Sequence, residues 1–268
     1  MTNPLIDTRD MIQPENHSTR IPVVLCLDTS QSMTTNGGFE ALNEGVQAFF
    51  DTCKNDPVNR LGFDVAIVTF GSQGVSKVQD FRPIWNQEEV PAFEFTSENW
   101  VDGTPMGKGI DLSLKGLERR KEEYKEEHIS YYQPFLVIVT DGQSTEIMRQ
   151  AFDTETEFEE SRKRFDSVKE SLVDLQRKRK LKVIAMGVGN EDYSELADFV
   201  VDKKVLLAKD FSAFDLLFEF MSKSMSNSSG IASNEDTIEE SPLTQIVEDL
   251  EDEGVVSISI EDFGRDED

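Results

Sequence analysis

Three short stretches carry side chains whose types and spacing could do chemistry. Asp28-Thr29-Ser30-Gln31-Ser32 is a D-x-S-x-S pattern closing an apolar run, Asp102-Gly103-Thr104-Pro105-Met106-Gly107 opens a helical pattern, and Thr140-Asp141-Gly142 follows the run FLVIV. The hydroxyls of Ser30, Ser32 and Thr104 are neutral oxygen donors suited to a hard cation such as Mg²⁺ or Mn²⁺, while Asp28 and Asp141 supply negative charge, directly or through bound water. Three hydroxyls and two carboxylates leave an octahedral ion unsaturated. If the carboxylates act mainly through water, the cation keeps much of its charge and attracts a carboxylate from outside. Such chemistry is binding, not turnover.

Other chemistries fit the same residues less well. D-x-S-x-S taken alone describes a turn or a helix cap as readily as a ligand set; agreement of three loops raises it above that. An apolar strand ending in Asp28 also opens phosphohydrolases of the haloacid-dehalogenase type, with Asp28 as nucleophile, but the acid expected two residues on is Ser30. A serine nucleophile needs a base. The two histidines are His17, in a polar N-terminal arm, and His128, after a Lys/Glu-rich helix, and both read as solvated. GTPMGKG (Gly103 to Gly109) is one residue short of a phosphate loop and has Gly109 where a Mg²⁺-binding hydroxyl belongs. No catalytic residue is assigned.

The elements that must position these loops follow from hydrophobic pattern. Ile21–Leu27, Phe63–Phe70, Phe135–Val139 and Leu181–Met186 are continuous apolar runs, as in strands covered on both faces. Val75 to Ile84 is weaker and contains Pro83, which suits an antiparallel edge strand. Helices are expected from the spacing of Phe39, Leu42, Val46, Phe49 and Cys53, over Thr104 to about Lys125, and along Phe158, Phe165, Val168, Leu172 and Leu175. A short helix near Tyr193 to Val200, a strand at Val205 to Leu207 and a last helix from Phe211 to about Met225 complete the pattern. Alternation of this kind predicts an α/β fold, a doubly wound, mainly parallel sheet with helices on both faces and one antiparallel edge strand. Ligands in such sheets bind beyond the carboxyl ends of the strands, where all three loops fall.

Charge bounds the partners. Lysine and arginine number 27 against 53 aspartates and glutamates, a formal net charge of -26 that argues against nucleic-acid or anionic-membrane binding. Residues 227–268 hold 14 of the acids and one base, Arg265, so half of the net charge lies there. The expected organisation is an arm over residues 1–20, a domain over 21–226 and an acidic, disordered tail over 227–268. Within that tail GVVSISI (Gly254 to Ile260) is β-branched and could add to a sheet edge, against the plainer reading of a solvating tail. Acids of Glu261 to Asp268 could reach the candidate metal site of their own or a neighbouring molecule. The basic run Arg177 to Lys182 reads first as a complement to a helix dipole. Two cysteines, no apolar N-terminal segment and no membrane-length run predict a cytoplasmic chain without a disulfide framework.

D-x-S-x-S after the first strand, Thr104 in a later loop and T-D-G after a strand resemble the metal-ion-dependent adhesion site of von Willebrand factor A domains. PVVLCLDTSQSM, LGFDVAIVTF, DGTPMGKGI, FLVIVTDG and AMGVGN are similar to the bacterial TerY-type branch of that family. The resemblance covers roughly residues 20–225. It implies that Ser30, Ser32 and Thr104 bind the metal directly and that Asp28 and Asp141 hold it through waters. Gln31 stands where glycine is common, at a position whose side chain is not a ligand. The resemblance further implies a partner presenting an Asp or Glu carboxylate, and a setting beside a protein kinase and a PP2C-type phosphatase in stress-response, tellurite-resistance or phage-defence systems. An accessory subunit of a AAA-type ATPase is a further alternative.

Overall fold

A computed structural model describes residues 19–34, 37–55, 61–71, 73–94, 103–188 and 193–208, together with the backbone of 255–259. The apolar runs form strands β1 (Ile21–Thr29), β2 (Phe63–Gly71), β3 (Gly74–Pro83), β4 (Phe135–Thr140), β5 (Lys182–Val188) and β6 (Lys204–Ala208), with β7 at Val255–Ser259. Helices are α1 (Gly38–Asn55), α2 (Met106–Glu126), α3 (Glu155–Arg177) and the short α4 (Ser194–Ala197). The sheet order is β3-β2-β1-β4-β5-β6-β7. β1 is parallel to β2 and β4, β4 to β5, and β5 to β6, whereas β3 pairs antiparallel with β2.

The predicted doubly wound, mainly parallel sheet is therefore present, and β3 is the expected antiparallel edge. The other edge is antiparallel too, because β7 runs against β6. One edge strand of that kind was expected. The second arises because the chain leaves β6 at the upper rim and comes back down as β7. Of the two readings of GVVSISI, the backbone adopts the strand.

Strand side chains alternate between two cores. Val23, Leu25 and Leu27 of β1 pack with Leu42, Val46, Phe49 and Cys53 of α1 on one face. Val24 and Cys26 face Ile110 and Leu117 of α2 and Phe165 and Leu172 of α3 on the other. The two free cysteines thus lie on opposite faces of the sheet. α3 begins with a full capping box: Thr154 Oγ1 accepts from Glu157 N–H, and the Glu157 side chain accepts from Thr154 N–H. The last predicted helix, Phe211 to Met225, the N-terminal arm up to residue 18, and the tail apart from β7 lie outside the described residues, as does Asp102. Among the described residues no helix is long and apolar enough to cross a membrane.

The chain builds β2 on one side of β1 and β4 on the other, so the winding reverses between β1 and β4. Crevices at such reversals, beyond the carboxyl ends of the strands, are where doubly wound sheets bind ligands. Asp28 and Asp141 stand at the ends of those two strands.

Candidate metal centre

Asp28, the penultimate residue of β1, is wholly buried. Its Oδ1 accepts from the backbone N–H of Ser30 at 2.8 Å, and its Oδ2 accepts from the hydroxyl of Thr140 at 2.6 Å. Thr140 closes β4, so this carboxylate ties together the ends of the two strands that flank the crevice. A 3-10 turn, Gln31–Thr34, then carries the chain over the rim, with Met33 buried beneath it as an anchor. The turn sets the Ser30 and Ser32 hydroxyl oxygens 2.8 Å apart, and the Ser32 hydroxyl donates to Asp141 Oδ1 at 2.8 Å. Ser30 is buried and Ser32 exposed, so the chain of oxygens runs from the interior to solvent.

Thr104 joins this group through its main chain. Its carbonyl accepts from the Ser144 hydroxyl at 3.1 Å and from Thr145 N–H at 3.2 Å, and its N–H donates to Thr145 Oγ1 at 3.0 Å. Those partners lie three and four residues beyond Asp141. The five predicted residues thus sit on three loops, of which two are linked by hydrogen bonds through Ser30, Ser32, Asp28 and Asp141, and the third is strapped to the Asp141 loop.

Two positions that sequence reasoning missed hold the loops in place. Gly71, the last residue of β2, has φ +146°, and a Cβ there would lie 2.4 Å from the Ser30 nitrogen and the Thr29 carbonyl carbon. Only glycine lets β2 end against the turn that presents Ser30. Glu146 is buried and receives the Lys108 N–H at 3.1 Å and the Gly107 N–H at the start of α2, capping that helix from a distant segment. Its signal would have been an acid a few residues after T-D-G. Nothing in the spacing, however, connects it to a helix 38 residues earlier.

Electrostatics at the rim are under strain. Burial first, and then the charge of Asp141, push the Asp28 carboxyl up to about 7 against hydrogen bonds from Thr140 and Ser30, which act in the opposite sense. Glu195, whose Oε1 accepts from Ser144 N–H at 3.2 Å, is also pushed up to about 7, first by burial and then by Glu146. Among the described residues no group of three or more His, Cys, Asp or Glu forms a cluster of metal-ligand type. The oxygens available at the rim are hydroxyls with two carboxylates behind and beside them.

A sequence profile for the von Willebrand factor type A domain matches residues 23–220. The chain belongs to that family. No curated protein matches it significantly in sequence. Among solved structures, this von Willebrand A domain is similar to the pilus adhesin SpaC from Lactobacillus rhamnosus GG in its open conformation, with TM-score 0.55 and 13% identity, covering 79% of this chain and 30% of that one. It is also similar to the vWF domain of the type V pili tip protein Mfa5 from Porphyromonas gingivalis, with TM-score 0.51 and 10% identity, covering 82% of this chain and 99% of that domain. Proximal thread matrix protein 1 from the mussel byssus matches at TM-score 0.49 and 16% identity, over 78% of this chain and 48% of that one. The chain thus spans under half the length of the mussel protein and under a third of the adhesin. At these identities the likeness is one of fold. Von Willebrand A domains commonly act as protein-interaction modules and are typically not enzymes.

Proposed function

We propose that this von Willebrand A domain is a divalent-cation-dependent protein-binding module, with its site formed by Asp28, Ser30, Ser32, Thr104 and Asp141. The observation that carries the reading is the continuous line of oxygens from Asp28 through Ser30 and Ser32 to Asp141. It lies at the winding reversal of the sheet, beside a carboxylate that burial first, and then its neighbouring carboxylate, push upward. The donor set fits Mg²⁺ or Mn²⁺: every donor is a hard oxygen, and a positive charge would relieve the repulsion between Asp28 and Asp141. Bound there, such an ion would offer a coordination position to a carboxylate oxygen from a partner.

The chain's own residues set that position up. Ser30, Ser32 and Thr104 would supply the direct oxygens, as the family pattern implies. Asp28 and Asp141 would act through water, leaving much of the positive charge for the partner. Thr140 and the Ser30 N–H hold both oxygens of Asp28 in place. This also speaks for a non-catalytic role, since a nucleophilic carboxylate needs an oxygen free to reach substrate and Asp28 is out of solvent.

The partner on this reading is a protein presenting Asp or Glu. Similarity of the loop sequences to the TerY-type branch points to a cytoplasmic adaptor within a bacterial stress-response, tellurite-resistance or phage-defence complex, alongside a protein kinase and a PP2C-type phosphatase.

Titration calorimetry on the full chain tests the site. We expect Mg²⁺ or Mn²⁺ uptake that is strengthened by an added Glu-containing peptide and lost in Thr104→Ala and Asp141→Asn. No uptake of either ion, with or without the peptide, would remove the proposal. Affinity capture with Mg²⁺ against chelator then tests the partner: proteins retained on wild type should leave on chelation and fail to bind Thr104→Ala.

A further inference from the structure

At the pole of the sheet opposite the candidate centre, the region around the end of α3 and the starts of β5 and β6 is basic, in a chain whose net charge is -26. α3 ends there with Arg177, and Lys178, Arg179 and Lys180 follow it, all exposed. β5 starts from Lys182 and β6 from Lys204, with Lys203 before it. A helix carboxyl end carries partial negative charge and would account for one or two cations, but the cluster extends to the two strand ends beside it. Backbone conformation is also given over to it. Arg179 has φ 53° and Lys203 φ 59°, a region glycine enters more easily, at about 1 kcal/mol for a residue with a Cβ. Arg179 occupies the left-handed position of a Schellman turn, in which Lys180 N–H donates to Leu175 O at 2.8 Å and Arg179 N–H to Gln176 O at 2.9 Å.

Local acids engage only part of this charge. Asp174 pairs with Lys178 at 2.7 Å, Asp198 pairs with Lys203 and with Lys169, and Asp202 accepts from the Lys204 backbone N–H. Among the described residues, Arg177, Arg179, Lys180 and Lys204 have no carboxylate within ion-pair distance. Lys121 of α2 is held below the ordinary lysine range by burial, with Lys125 and Lys180 adding to the effect and Glu118 and Glu122 opposing it.

β7 supplies the direction. Val255 lies opposite Ala208 and Ser259 opposite Lys204, so the strand descends from the rim of the candidate centre to the basic pole. The chain continues as IEDFGRDED, with Glu261, Asp262, Asp266, Glu267 and Asp268 against the single base Arg265. Adjacent strands lie about 4.8 Å apart and nine residues reach up to about 30 Å, so the pole from β6 across β5 to the end of α3 is within their span.

We propose that the basic pole is the docking site of the acidic segment 260–268 of the same chain, which fastens β7 onto the edge of β6. These acids therefore belong at the opposite end of the sheet from the hydroxyl-rich rim that the sequence alone suggested for them. The proposal stands apart from the metal reading and does not depend on it. Carbodiimide cross-linking of the full chain, mixed in equal parts with isotopically labelled copies and read by mass spectrometry, tests it. We expect amide links from Lys180 or Lys204 to carboxylates of residues 261–268 within one isotopic form. Their yield should fall at least about tenfold from about 0.01 M to about 1 M salt, as the screening length drops from about 30 Å to about 3 Å. Links from these lysines only to other acids, or a yield indifferent to salt, would overturn the proposal. Isotopically mixed links would overturn it in favour of a second copy as the occupant.

Discussion

Two aspartates on adjacent strands, Asp28 near the end of β1 and Asp64 near the start of β2, are both wholly buried, and their surroundings differ in kind. Asp64 is met by cations: Arg120 Nη2 at 2.8 Å and Arg20 Nη1 at 3.9 Å, with the Tyr124 hydroxyl donating at 2.5 Å. The Arg120 guanidinium also lies over the Tyr124 ring, 4.9 Å from its centroid. Charge there is balanced within the fold. Asp28 receives a hydroxyl and a backbone N–H, and its charged neighbour is another carboxylate, Asp141. Burial alone is thus no sign of function. A carboxylate paired with arginines serves the fold, whereas one facing hydroxyls and a like charge is, on the reading proposed above, the place for a positive charge from outside.

The strongest test of this contrast is at Asp64. Asp64→Ala leaves the buried Arg20 guanidinium without its carboxylate and Arg120 with Glu123 alone, and should cost about 3–5 kcal/mol of stability, measured by urea unfolding, with metal uptake per folded molecule retained. A loss below about 1 kcal/mol would mean that Asp64 is not the structural counterpart proposed.

Next in size is the pH dependence of the chelator-treated protein. A carboxyl held near 7 in the fold and at its ordinary value near 4 when unfolded keeps its proton more tightly when folded. Its contribution to stability is full below pH 4 and is lost as pH rises through 7, by an amount on the order of a few kcal/mol. Glu195 adds a slope of the same sign over the same window. Asp28→Asn should flatten much of the decline and Glu195→Gln a smaller part, while saturating Mg²⁺ should restore stability above pH 7 in wild type but not in Asp28→Asn. A metal-free stability that rises from pH 4 to 7, unchanged by Asp28→Asn, would contradict the assignment.

Gly71 comes third. Gly71→Ala forces a Cβ against the Thr29–Ser30 backbone, which should cost about 1–3 kcal/mol and weaken Mg²⁺ binding, because the displaced turn carries Ser30 and Ser32. The equivalent change at Gly142, where a Cβ meets nothing within 4 Å, should leave stability nearly unchanged. Equal losses at the two glycines would deny Gly71 its special place.

What the sequence disclosed divides along physical lines. Strands β1, β2, β4 and β5 were legible because burial on both faces demands unbroken apolar runs, and the three loops because each follows a strand or opens a helix. The Asp64 cluster was not legible, since its partners Arg120 and Tyr124 are 56 and 60 residues away and only the fold brings them together. Gly71 stayed hidden for a similar reason: its need for glycine comes from the approach of β1, not from its own neighbours in the chain. For GVVSISI, β-branching gave the strand propensity but not the edge it would join. That edge is fixed by the antiparallel register of β7 on β6, with Val255 opposite Ala208 and Ser259 opposite Lys204.

The smallest expected stability change falls on the residue nearest the proposed function. Ser32 is exposed, and its hydroxyl bridges Ser30 and Asp141 without anchoring any strand. Ser32→Ala should therefore shift unfolding by no more than about 0.5 kcal/mol, while metal uptake in calorimetry drops by at least an order of magnitude. Ser30 is the sharper comparison. It is buried, its N–H holds Asp28 whatever its side chain, and its hydroxyl is the inner member of the same oxygen line. Ser30→Ala should cost more stability than Ser32→Ala, about 1 kcal/mol for a buried hydroxyl bond, and abolish uptake equally. If both variants bind Mg²⁺ as wild type does, the hydroxyls are turn-formers and the rim of this domain recognises its partner by other means.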